Sequence, residues 1–276
     1  MKGKIIAASK MFENYFSKEG EGRVAKIFAI ANQKGGVGKT TTAVNLSASL
    51  GDLGKKVLLV DCDPQGNASS GLGINKLELQ HTIYDVLINN FSAADTMVET
   101  PYKVSVLPAN MELAGAEVEL VSMEERENKM RQALDKIRDD FDFILIDCPP
   151  SLGLLTVNAL TAADAVIIPI QCEFYALEGV TQLLNTIEIV RNQLNPLLSI
   201  DGFIMTMFDS RTRLSKQVVE EVFDNFGGLL YDTLIQRSIK LSEAPSYGQP
   251  IVAYDRFSKS AEMYLNLARE VVERGK

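Results

Sequence analysis

The run Gln33-Lys34-Gly35-Gly36-Val37-Gly38-Lys39-Thr40-Thr41 constrains this chain more than any other segment. It follows a short apolar run, Lys26–Ala31, and leads into residues at helical spacing, Thr40–Leu53. Glycines let a backbone curl until successive N–H groups face one anion. A helix that starts immediately afterwards turns its N-terminus to the same charge. The usual phosphate loop reads G-x-x-x-x-G-K-[ST]. Gly38-Lys39-Thr40 fits that pattern, whereas Gln33 stands at the first glycine position. The physical requirements survive the departure. Lys39 is placed to reach β- and γ-phosphates, and the Thr40 hydroxyl to ligate Mg2+. Lys34 sits at the rim, poorly placed for those phosphates. It is expected to reach a nucleotide held by a second subunit, as an arginine finger supplied in trans does.

Apolar runs at Lys56–Val60, Val104–Leu107, Phe141–Ile146, Ala165–Ile170 and Ile200–Met207 continue the pattern. Helical stretches separate them: Glu112–Leu120, Glu124–Asp139, Ala176–Leu194, Leu214–Phe226 and Ser260–Arg274. Buried strands alternating with helices predict an α/β fold, a mostly parallel twisted sheet with helices on both faces. Ligands of such sheets bind beyond the carboxyl ends of the strands. Polar groups follow apolar runs there. Asp61-Cys62-Asp63 puts two carboxylates at alternate positions; one can hold Mg2+ waters while the other orients an attacking water. Asp147, ending Ile144-Leu145-Ile146-Asp147, is at the usual place for a Mg2+-linked aspartate.

Composition narrows the class. The 276 residues are 46% hydrophobic, enough for one large core and too apolar for a disordered chain. Cys62, Cys148 and Cys172 are scattered, which excludes a disulfide scaffold and reads as reduced thiols in the cytoplasm. No apolar run reaches the roughly 18 residues of a membrane span. Residues 1–24 read as a flexible lead-in, with Met11–Phe16 a short helix at most and no secretory signal. Residues 25–276 read as a single domain. The net charge is −8, so any contact with nucleic acid must be local. Residues 1–200 carry 18 Lys/Arg against 25 Asp/Glu, and residues 201–276 carry 10 against 11. The C-terminal third is the less repulsive toward a polyanion.

KGGVGKTT, DCDPQGN and ILIDCPPSLG resemble the deviant Walker motifs of the ParA/MinD ATPase family. QCEFYALEG (Gln171–Gly179), FDSRT (Phe208–Thr212) and KLSEAPSYGQPI (Lys240–Ile251) resemble its Soj-like ParA branch. The likeness spans about Ala25 to Arg274. It implies a P-loop NTPase that binds ATP and Mg2+ and forms an ATP-sandwich homodimer. By the resemblance Lys34 is the signature lysine that crosses to the partner's nucleotide, Lys39 the phosphate-loop lysine, and Asp63 the residue that positions the hydrolytic water. Thr40, Asp61 and Asp147 match the groups near Mg2+. Nucleotide contacts are expected from Lys34, Gly35, Gly36, Val37, Gly38, Lys39, Thr40 and Thr41, and from Met207, Gln236 and Arg237. Gly36 must stay small for the dimer to close.

The resemblance further implies sequence-independent binding of double-stranded DNA through Arg211, Arg213, Lys216, Arg237 and Lys240. Lys240 stands where relatives often carry arginine; lysine keeps the charge and loses the bidentate fork. A ParB-type partner would trigger hydrolysis, and the protein would be nucleoid-associated without a membrane anchor. Ile235-Gln236-Arg237-Ser238 departs from the I-P-R-N that relatives often show near the adenine pocket. Three other classes compete. A MinD-like, membrane-associated division regulator needs a basic amphipathic tail; the closing helix has Glu270 and Glu273, and its Tyr264, Leu267, Ala268, Val271 and Val272 read as core. An iron–sulfur carrier needs paired cysteines. A non-enzymatic, nucleotide-dependent DNA-binding module differs from an ATPase in phosphate release.

Overall fold

The computed structural model describes residues 25–173 and 176–275. The expected lead-in, residues 1–24 with Met11–Phe16, lies outside the described residues. Seven strands form one sheet: β1 (Lys26–Ile30), β2 (Val57–Asp61), β3 (Val98–Glu99), β4 (Val104–Leu107), β5 (Phe143–Asp147), β6 (Ala165–Gln171) and β7 (Ser199–Thr206). Their order is β3-β4-β2-β5-β1-β6-β7. All pairings are parallel except β3 on β4. The chain moves outward from β1 on one side, then returns through β5 and continues to β6 on the other. β1 is therefore the switch point, where an open α/β sheet leaves its ligand crevice.

The sheet is buried on both sides, and its residues alternate between two cores. Ile27, Ala29, Leu58, Val60, Ile144 and Ile146 face one; Phe28, Ile30, Leu59 and Leu145 face the other. On the second face lie α1 (Lys39–Asp52) and the closing helix Lys259–Arg274, whose Tyr264, Leu267, Ala268 and Val271 are buried. The first face is covered by helices Leu113–Glu119, Lys129–Leu134, Leu154–Ala162, Glu178–Gln193 and Arg213–Phe226. The apolar stripe of the closing helix is thus spent on the core, with Val272 partly buried against it.

One edge of the sheet is short and the other is covered. β3 contributes only two residues, paired antiparallel with Val106 and Ser105. Beyond β7 the segment 230–236 runs alongside: Tyr231 N–H donates to the Phe203 carbonyl (3.0 Å) and Ile235 N–H to Met205 (2.9 Å).

The fold class agrees with expectation, and three details differ. The single helix expected over Glu124–Asp139 is instead a six-residue helix, Lys129–Leu134, followed by a 3-10 turn at Arg138–Asp140. Glu125 has φ 50° and breaks the run. The side chain of Asn158 then accepts a hydrogen bond from Met130 N–H (3.1 Å), near the start of that helix. The expected strand Phe141–Ile146 begins at Phe143 and ends on Asp147; Asp142, just before it, accepts from Lys56 N–H (2.8 Å). β3 gives too short a run to be seen in the sequence.

Candidate active site

The carboxyl ends of β2, β5 and β1 are level: Asp61 pairs with Asp147, and Asp147 with Ile30. The glycine loop leaves β1 at that level. Gly36 and Gly38 have φ of 74° and 92°, a conformation that favours glycine. A Cβ on Gly36 would meet nothing within 4 Å, so its smallness serves the backbone angle or an approaching molecule, not packing within the chain. α1 begins at Lys39 with Gly38 as a left-handed cap and no side-chain cap, and no acid lies in its first turn. The first bond of the helix is Thr42 N–H to Gly38 (2.9 Å), so the preceding N–H groups have no partner within the helix. That is an anion site by construction.

Lys39 is buried and aimed into this end, where its ammonium donates to the Lys34 carbonyl (3.1 Å). Burial pulls its pKa down, and the charges of Asp147, Cys148 and Asp63 hold it up in part. An ammonium with one protein partner in a partly desolvated crevice has donors left for phosphate oxygens. The loop itself is braced from two sides. Asn32 donates to the Pro169 carbonyl (2.7 Å) and accepts from Lys34 N–H (3.0 Å). Thr206 donates to the Val37 carbonyl (2.7 Å). The Lys34 ammonium pairs with Glu173.

The three aspartates have different surroundings. Asp61 is fully buried and bound: its Oδ2 accepts from Ser69 N–H (2.8 Å) and Ser69 Oγ–H (2.7 Å), at the third residue of α2 (Asn67–Gly71). Burial pushes its carboxyl up to about 6, with the Ser69 bonds pulling the other way. Asp63, partly exposed, accepts from Gln65 N–H (2.9 Å) in a local turn, and its charge is among those felt by Lys39. Asp147 is fully buried, and neither oxygen meets a donor in hydrogen-bond geometry. Burial and the neighbouring Asp61 push its pKa well up; the Thr40 hydroxyl beside it opposes this only in part. A buried carboxylate with two unused oxygens, next to a threonine hydroxyl at a phosphate loop, fits a divalent cation. Asp147 and Thr40 would hold Mg2+, which supplies charge neutralisation on the phosphates. No cluster of three acidic, histidine or cysteine side chains exists among the described residues, so the remaining ligands would be phosphate and water oxygens.

Met207, Gln236 and Arg237 come together. With Gly38, Thr41 and Tyr264 they line a cavity of about 170 Å3 beside the start of α1. Arg211, Arg213, Lys216, Arg237 and Lys240 are all exposed. A parallel bridge between Phe208 and Gln236, with Arg237 N–H donating to the Phe208 carbonyl (3.1 Å), sets Arg237 beside the loop that carries Arg211. Sequence reasoning missed Asn32, Thr206 and Ser69. Only Ser69 left a trace, a polar residue in the small-residue run GNASSG.

A family model described as an AAA domain matches residues 25–200. The sporulation initiation inhibitor protein Soj of Bacillus subtilis is 54% identical over 253 residues, covering 91% of this chain and 100% of that protein. The chromosome partitioning protein ParA of Myxococcus xanthus is 51% identical, covering 93% and 91%. The chain belongs to the ParA/Soj family. As a ParA/Soj protein it is an ATPase, with ATP and Mg2+ as its nucleotide and metal. Among solved structures, a cobyrinic acid a,c-diamide synthase of Mycobacterium smegmatis with bound ADP and magnesium superposes with TM-score 0.81 at 39% identity, covering 91% of this chain and 95% of that one. A plasmid partition protein of Borrelia burgdorferi bound to AMPPNP superposes with TM-score 0.77 at 27% identity, covering 91% and 99%. The synthase is the less similar in sequence; the partitioning relatives at 50% identity and above set the family.

Proposed function

We propose that this ParA/Soj ATPase is a DNA-segregation switch. Two protomers close on ATP, the dimer binds duplex DNA without reading its sequence, and a ParB-type partner stimulates hydrolysis and release. The protein then works in the cytoplasm, on the nucleoid, without a membrane anchor. Lys39 holds the β- and γ-phosphates through its ammonium. Lys34 exchanges Glu173 for the partner's nucleotide. Asp63 orients the water, and Asp147 with Thr40 carries the metal. Asp61 holds α2 in place through Ser69 and is one step removed from the metal. The alternative of a MinD-like membrane regulator has less support, since the apolar stripe of the closing helix is buried in the core.

One observation supports the link between nucleotide and DNA best. Arg237 lines the cavity beside the phosphate loop and is bridged to the Phe208–Arg211 loop. The nucleotide pocket and the cationic surface therefore share the segment Ile235–Lys240. A chain of net charge −8 attracts DNA only through such a local patch, and a dimer doubles it. Binding should require ATP, ignore sequence and weaken steeply with salt. The test titrates fluorescent duplexes of unrelated sequence at two salt concentrations with ATP, ADP or no nucleotide. Arg211→Glu should abolish binding and leave dimerisation intact. Equal binding in all three nucleotide states would refute the switch.

A further inference from the structure

Two of the five cations on the DNA surface are already matched with a carboxylate of their own chain. Arg211 donates from Nε to Asp209 Oδ1 (2.9 Å) and from Nη2 to Asp209 Oδ2 (2.8 Å), a two-pronged pair. The Arg211 side chain is 87% exposed and that of Asp209 23%, so the guanidinium faces solvent while the carboxylate is partly covered. The Lys240 ammonium pairs with Asp255, at the end of the short helix Ile251–Tyr254. No such pair is made by Arg213, Lys216 or Arg237 among the described residues.

These pairs do little for the fold. Ion pairs whose cation stands in solvent contribute little to stability. The turn that carries Arg211 does not depend on the charge of Asp209: Asp209 Oδ1 accepts from Arg211 N–H (3.0 Å), a bond an amide oxygen also makes, Thr212 N–H donates to the Asp209 backbone carbonyl (3.1 Å), and Thr212 Oγ1 caps the helix Arg213–Phe226 by accepting from Ser215 N–H (3.2 Å). What a carboxylate does at such a place is imitate a phosphate. Both are anionic acceptors, and both present two oxygens to a guanidinium fork.

We propose that Asp209 and Asp255 set the affinity of the DNA surface, each occupying its cation as an internal substitute for a backbone phosphate. A single protomer's patch is thereby too weak to hold a duplex, and only the doubled patch of two protomers succeeds. This inference rests on the reading of that surface as the DNA site. Asp209→Asn removes the charge and keeps an Oδ1 to accept from Arg211 N–H, a bond of 3.0 Å here. Asp255→Asn does the equivalent for Lys240. Asp224→Asn is the control, an exposed acid on the helix Arg213–Phe226 with no cation partner among the described residues.

The experiment titrates a fluorescent duplex against these variants, with and without ATP, at several salt concentrations, after thermal melting shows them folded. Asp209→Asn and Asp255→Asn should bind roughly 1.5- to 5-fold tighter than wild type. Their dependence on log salt should steepen by about one for each cation freed. They should also bind DNA measurably without nucleotide. The gain should vanish when Asp209→Asn is combined with Arg211→Ala. Wild-type affinity in both aspartate variants, while Arg211→Glu abolishes binding, overturns the inference and leaves the DNA site standing. An equal gain from Asp224→Asn overturns it too, because any lost acid would then serve. Undiminished binding by Arg211→Glu removes the DNA site itself, and this inference with it.

Discussion

Replacing Asp147 by asparagine separates what the fold tolerates from what the nucleotide requires. Asp147 is fully buried with both oxygens lacking a hydrogen bond. Burial and the adjacent Asp61 raise its pKa well above the ordinary 3.8. The native carboxyl therefore keeps a proton over a pH range in which the unfolded one has lost it. A group raised in this way contributes stability that is complete below the unfolded pKa and is lost as pH rises toward the folded one. The slope is at most one proton's worth, about 1.4 kcal/mol per pH unit. Unfolding entropy near 2.1 cal/mol/K per residue gives roughly 0.6 kcal/mol/K for a chain of this length. The two together make about 2 °C in Tm per pH unit. Asparagine has no proton to lose. In the absence of nucleotide, Asp147→Asn should thus gain on wild type as pH rises above the ordinary carboxylate range, by at most about 2 °C per unit. Mg–ATP should reverse the ranking, because only the carboxylate can bind the cation with its charge. Thermal melts at three pH values, with and without Mg–ATP, read both effects. A Tm difference that is flat in pH, or equal stabilisation of the two proteins by Mg–ATP, would refute the argument.

Lys39→Ala should weaken ATP binding roughly 10- to 100-fold, the worth of a charge-assisted contact; isothermal calorimetry that finds wild-type affinity would remove Lys39 from the phosphates. Asp63→Ala should bind ATP normally and hydrolyse it at a small fraction of the wild-type rate, so that an ATP-bound dimer accumulates on size-exclusion chromatography; unchanged turnover would assign the water to another residue. Gly248→Ala should lower stability by at least about 1–2 kcal/mol from the left-handed backbone alone, since φ is 63° and a Cβ would lie 2.7 Å from Gly73 Cα; a denaturation midpoint equal to wild type would show that this loop yields freely.

The phosphate loop was legible because its chemistry is compressed into nine consecutive residues. β1, β2 and β4 to β7 were legible because strands buried on both faces are uninterrupted apolar runs. What stayed hidden depends on partners remote in sequence. Met130 N–H is met by Asn158, 28 positions away, and this helps to cut the helix expected over Glu124–Asp139 to six residues. Ser69 looks like loop filler until the fold brings it onto Asp61, and that contact removes Asp61 from the role of a free carboxylate. Lys240 reads as an exposed cation in KLSEAPSYGQPI, whereas its match with Asp255 appears only once the chain has turned back. Asp209 was visible in FDSRT, two residues before Arg211, but spacing alone does not say that the two side chains meet.

The blunted edges of the sheet have a consequence for how copies of this chain meet at high concentration. A sheet offers two ways to associate, by adding strands at an edge or by apposing surfaces. Edge addition is indiscriminate, because backbone groups pair with any chain, and it grows without limit. Here the two-residue β3 offers a short ladder on one side, and the 230–236 segment occupies N–H···O partners of β7 on the other. The rows of backbone donors and acceptors that template fibres are therefore short or already used. Self-association is left to side-chain surfaces and loops, which can be shape-selective, finite and reversible. The dimer proposed to close on ATP and reopen on hydrolysis would need that kind of contact, and blunt sheet edges keep the irreversible kind from competing with it.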